Sequence, residues 1–206
     1  MARIVLLLFL TASLGVRAHN PQLSTMALVQ GQDKTWTLNI GASLAAFQYE
    51  LQNSYPDQGI DQLDADAFQK KIIEHLRHTI HIQAGSGRTI QLAHGMIRLG
   101  HQTDVRFEVT GMPDQLQTLQ LRHLGFSTLK NQYCVLTIQT PATPTKTCIL
   151  QDENAFVVSL KADQHTLVET PPEQPLNWPI PGIACAILLA LVLYRMQVGK
   201  QPVAPV

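Results

Sequence analysis

Apolar residues fall on every second position through much of the chain. Trp36, Leu38 and Ile40 alternate with Thr37 and Asn39, which predicts a strand with one buried face. Met26 and Leu28 predict an earlier partner strand, with Gly31, Gln32, Asp33 and Lys34 as the turn between them. The next stretch reads two ways. Ser43 can cap a short helix through Leu44, Phe47 and Leu51, and a continued strand is the alternative.

The period then changes. Across 64–78, Phe68, Ile72 and Leu76 recur at helical spacing, and Asp64 stands where a side chain can accept the first free N–H groups of a helix. Beyond His78 the period returns to two, with Ile80 and Ile82, a turn at Gly85, Ser86 and Gly87, then Ile90 and Leu92. Val105, Phe107 and Val109 follow, ended by Gly111, Met112 and Pro113. Leu119 and Leu121, Leu136 and Ile138, Ile149 or Leu150, and finally Phe156, Val158 and Leu160 complete the series. About eight short strands with one or two helices predict an α+β fold, mainly antiparallel β with packed helices.

Two apolar runs frame this pattern. Arg3 precedes a wholly apolar stretch over 4–10, no acidic residue appears before Asp33, and Val16 and Ala18 sit at the −3 and −1 positions for cleavage after Ala18. This predicts a signal peptide at 1–18 and a mature chain beginning at His19. The second run, 178–194, carries no charge and as a helix would reach about 25 Å. Trp178 and Tyr194 bracket it as interfacial aromatics, and Arg195 and Lys200 follow it. The expected order is an exported domain at 19–168, a Pro-rich linker at 169–177 and a transmembrane helix at 178–195. A cytoplasmic tail at 196–206 completes it. The expected location is the bacterial inner membrane, single-pass, with the domain in the periplasm.

Composition adds an exclusion. With 15 Lys and Arg against 15 Asp and Glu, the chain lacks the basic excess of a nucleic-acid binder. The 45% hydrophobic content excludes a disordered chain.

Candidate chemistry is sparse. Cys134 and Cys148 are equidistant from Pro141, so a hairpin turn there would let them face each other, and export permits a disulfide. Closing that loop is worth about 3 kcal/mol in the chain-entropy model. Two free buried thiols are the alternative. Cys185 lies in the membrane run and can reach neither. His75, His78 and His81 read as solvated or rim histidines. His19 differs, because a mature N-terminal histidine offers an α-amine and a ring nitrogen to one copper or nickel ion. His94, His101 or His123 could supply a further ligand. No Gly-x-Ser-x-Gly elbow and no phosphate-cradling glycine loop occurs, so no catalytic residue is predicted.

Several segments carry a resemblance. These are the cleavage site at Ala18 and His19, the strand from Thr35 through Trp36, Thr37, Leu38 and Asn39 to Ile40, the middle helix, and the late stretches 129–133 and 150–156. The chain resembles small exported domains of unknown function in Gram-negative bacteria. It is also similar to the periplasmic N-terminal segment of HupE/UreJ-type hydrogenase and urease accessory membrane proteins. Those proteins have several spans where this chain has one, and the resemblance implies no catalytic residue. The function expected is a non-enzymatic, membrane-anchored domain that binds or supports a protein partner in the cell envelope. A copper or nickel handling protein using His19 is the alternative.

Overall fold

The computed structural model describes residues 23–171. The signal segment, most of the Pro-rich linker, the 178–195 run, the tail, His19 and Cys185 lie outside the described residues. Among the described residues no helix is long and apolar enough to cross a membrane.

The described chain is α+β and mostly antiparallel. Eleven strands form two sheets, and two α-helices join them. The first hairpin is β1 (Leu23–Gln30) with β2 (Trp36–Ser43), paired antiparallel from Thr25↔Gly41 to Gln30↔Trp36. Helix α1 (Leu44–Ser54) follows directly. Ser43 caps it, its hydroxyl accepting from the Ala46 N–H at 3.1 Å, and this local bond selects helix over a continued strand. Helix α2 (Ala65–Thr79) is capped by Asp64, which accepts from the Ala67 N–H at 2.8 Å. It buries Phe68, Ile72 and Leu76 as their spacing predicts.

The remaining strands are β3 (Ile80–Ala84), β4 (Arg88–Thr89), β5 (Gln91–Arg98), β6 (Gln102–Thr110), β7 (Thr118–His123), β8 (Tyr133–Thr140), β9 (Thr143–Leu150), β10 (Val157–Asp163) and β11 (Thr166–Glu169). One sheet has the order β5-β6-β2-β1-β8-β9 and the other β11-β10-β7-β3-β4. The β1–β8 pair is parallel, running from Leu23↔Tyr133 to Val29↔Gln139. Both sheets turn one face to a single core, which includes Leu28, Leu38, Phe107 and Leu136 from the first and Ile82, Leu121 and Leu160 from the second.

Two expectations are corrected here. Ile80–Ile82 and Ile90–Leu92 are not one simple hairpin. Arg88 and Thr89 pair back onto β3 and the Ile90 N–H donates to the Ile82 carbonyl at 2.9 Å, after which the chain changes sheets and β5 pairs with β6. The Cys134–Cys148 disulfide is absent, and both thiols are free and buried. The β8–β9 hairpin has a bulge between Ile138 and Thr140, so Cys134 lies opposite Leu150 and Cys148 opposite Leu136. The cysteines are therefore diagonal neighbours, about 7–8 Å apart in such a ladder, beyond unstrained disulfide reach. Burial pushes both thiols up to about 12.

Two measurements follow from these contacts. The full-length chain, denatured without reductant, should be alkylated at Cys134 and Cys148, whereas native protein should resist at both. A requirement for prior reduction would restore the disulfide. Gly95 permits β5 to approach α2, since a Cβ there would lie 2.7 Å from Phe107 Cε1 and 2.8 Å from Ile73 Cγ2. Gly95→Ala should cost about 1–3 kcal/mol in urea unfolding, and an unchanged midpoint would contradict that close approach.

Candidate functional site

Because strand side chains alternate, burying one face of the six-stranded sheet turns the other face outward. The register sets Arg106, Asn39, Ala27, Thr137 and Thr147 side by side across β6, β2, β1, β8 and β9. The neighbouring row is Asp104, Gly41, Thr25, Val135 and Ile149. Gly41 is held small by its neighbours, since a Cβ would lie 2.8 Å from Thr25 Oγ1. Small residues in mid-sheet leave a hollow of about 220 Å³ over Ala27, Asn39, Gly41 and Thr137. A second hollow of about 480 Å³, lined by Met96 and Arg98, shares Asn39, Asp104 and Arg106 with it.

Among the described residues, five large apolar side chains are exposed, and three of them belong to this face: Leu23 at 36%, Met96 at 57% and Ile149 at 52%. Threonine hydroxyls, one amide, alkyl groups and the charged side chains of Asp104 and Arg106 fill the area between them. The Arg98–Asp104 ion pair at its margin is exposed and adds little stability. Apolar side chains interleaved with hydrogen-bonding groups, including an arginine, suit contact with another polypeptide surface.

A second cluster lies inside the fold. Glu50 falls beside Leu51 on the core face of α1 and is 1% exposed. Its carboxyl accepts from the Thr128 N–H at 3.0 Å, from Thr128 Oγ1 and from Ser54 Oγ at 3.2 Å. His75 extends the Phe68, Ile72 and Leu76 stripe of α2 and is equally buried. Its Nε2–H donates to the Gly125 carbonyl at 3.1 Å, and its Nδ1 lies 3.3 Å from the Tyr55 hydroxyl. Glu50 Oε1, at 3.7 Å from Nε2, contributes field without a hydrogen bond. Burial holds His75 below the usual imidazole range, opposed by the Gly125 carbonyl and Glu50. Tyr55 is raised by burial and by the charges of Glu74 and Glu50, and Lys71 Nζ sits 3.8 Å from its ring centre. These contacts fasten α1, α2 and the 124–129 turn to one another.

The sequence-predicted site residues fall in separate places. His94 occupies the β5 bulge with φ 38° and is exposed, its Nε2 4.0 Å from Glu108. His101 lies in the β5–β6 turn, more than about 13 Å further along the hairpin at strand spacing. His123 ends β7 in the other sheet, 1% exposed, with Nδ1 accepting from the Gly125 N–H. That bond and the enclosure remove it from any exposed ligand set. Among the described residues, no group of three His, Cys, Asp or Glu side chains is placed to hold a metal ion. His75 corrects the reading of rim histidines, and its position seven residues after Phe68 is the signal that identifies it. Glu50, three residues after Phe47, carries the same signal.

Removing the Glu50 carboxyl takes the acceptor from the N–H and hydroxyl of half-buried Thr128. Glu50→Ala should therefore destabilise the chain by about 2–4 kcal/mol in urea unfolding. A loss below about 0.5 kcal/mol would mean that these bonds do not hold the turn. Among known proteins, no family model matches this chain, and no curated protein matches it.

Proposed function

We propose that this chain is a non-enzymatic, membrane-anchored envelope domain that holds a protein partner on the outer face of its six-stranded sheet. The observation that carries the reading is that three of the five exposed large apolar side chains among the described residues, Leu23, Met96 and Ile149, share that face with two joined hollows. Met96 and Ile149 stand on opposite edge strands of the sheet, so a partner that covered both would span the hollows between them. The charges at 195 and 200, after the apolar run, support placing the domain on the exported side of the membrane. Pro171, Pro172 and Pro175 give the segment between the domain and the apolar run the composition of a linker.

Site-specific photo-crosslinking in the native membrane tests this reading. A crosslinking residue at Thr137 should give one discrete adduct with a different protein. Met96→Lys with Ile149→Lys should remove it, and a crosslinker at Gln164, in the β10–β11 turn, should not give it. Equal adducts from both positions, or an adduct the size of two copies of this chain, would overturn the proposal.

A further inference from the structure

Helix α2 and the bulged part of β5 enclose a hollow of about 450 Å³, lined by Lys70, Ile73, Glu74, Arg77, His78 and Gly95. The five helical residues recur at steps of three and four, so they share one side of α2. The hollow lies apart from the outer face. Gly95 turns toward Ile73 and Phe107 on the core side of β5, whereas Met96 beside it faces out.

The charges on this wall are not equivalent. Glu74 is already held by Lys71 at 3.3 Å, and Lys71 Nζ in turn lies over the Tyr55 ring. Among the described residues no carboxylate pairs with Lys70 or Arg77. Arg77 is nevertheless held in place. Its Nε–H donates to the Leu92 carbonyl at 3.1 Å, and its guanidinium carbon lies 5.7 Å from the Phe107 ring centre. That bond leaves the two Nη groups as an oriented fork, the geometry that meets a carboxylate. His78 donates Nδ1–H to the Glu74 carbonyl at 2.9 Å, which leaves Nε2 as its open atom.

Lys70 and Arg77 are seven residues apart, about 10 Å along the helix axis, with half-buried Ile73 between them. One small anion meets only one of these cations. A peptide with two carboxylates at that separation meets both, and sets an apolar side chain against Ile73. The charge balance points the same way, since Lys71 offsets Glu74 and leaves Lys70 and Arg77 for two negative groups.

We propose that this groove binds an acidic peptide segment of a partner protein, with one carboxylate on the Arg77 fork, a second on Lys70 and an apolar side chain over Ile73 and Gly95. The described chain ends far from the groove. Glu169, its last acid, is engaged by Lys146 at 3.0 Å on β9, at the opposite edge of the sheet from β5.

Residues i and i+3 of an extended peptide stand about 10 Å apart, so the probe is a capped peptide containing Glu-Ala-Leu-Glu and a neutral fluorophore. Fluorescence anisotropy with the full-length chain in zwitterionic detergent measures its binding. The Glu peptide should bind about 25-fold more tightly than its Gln-Ala-Leu-Gln counterpart, about fivefold for each exposed charge pair. Arg77→Gln and Lys70→Gln should each weaken binding about fivefold. Lys161→Gln, the same loss of charge on β10 of the other sheet, should leave it unchanged. Equal binding of the two peptides overturns the proposal, as does equal weakening in all three variants. Displacement by inorganic phosphate at the peptide's own concentration would make this a single-anion site. Displacement by phosphatidylglycerol added to the micelles would assign the groove to a lipid headgroup. Either result overturns the proposal. Lys70 makes no hydrogen bond or ion pair among the described residues, so Lys70→Gln decides alone should Arg77→Gln not fold.

Discussion

The fold depends on one constraint, that two sheets share a single core and each therefore spends one face on it. Period-two alternation converts that demand into a rule for every strand residue. Met26, Leu28, Leu38, Ile40, Val105, Phe107, Leu136 and Ile138 are drawn inward, and each is at most 1% exposed. The residues between them have no freedom to choose. Thr25, Ala27, Asn39, Arg106, Val135, Thr137 and Ile149 must face out, and the register assembles them into a continuous surface. The proposed partner face is thus a consequence of how the core is built.

Two devices close the structure around that core. The parallel β1–β8 pair brings the first strand against one more than a hundred residues later, so the six-stranded sheet forms only when both ends of the domain are in place. The Glu50, His75 and Gly125 contacts then fix the helices and the turn that leads into β8. Buried polar groups of this kind stabilise only when fully partnered. Glu50 is satisfied and His123 Nε2, at the end of β7, is not.

Much of this was legible in the sequence. Alternation revealed β1, β2, β6, β7 and β10, and helical spacing with Asp64 revealed α2. At 44–54 the sequence left helix and strand open, and the structure decides for α1 with the Ser43 cap. What stayed hidden depends on distance in sequence. Nothing near Leu23 announces a parallel partner at Tyr133, and nothing near Ile90 announces that the chain leaves one sheet for the other. The turn, which pairs Thr140 with Thr143, and the bulge beside it together shift Cys148 two residues from the position opposite Cys134, and counting from Pro141 detects neither. Glu50 and His75 carry the periodicity of core residues, yet their polarity argued for the surface, and their partners lie fifty or more residues away. The outer face was hidden for another reason. Threonine and valine on a strand read the same whether they meet water or a partner, until the register sets them side by side.

The central claim is that the outer face is held free of the fold's own packing. The most direct measurement is the urea midpoint of the full-length chain carrying Met96→Lys and Ile149→Lys together. The account predicts a stability within about 0.5 kcal/mol of the parent, as expected for exposed side chains outside the core. A loss of about 2 kcal/mol or more, the scale of a buried apolar side chain, would show that the chain itself covers this face and would contradict the claim.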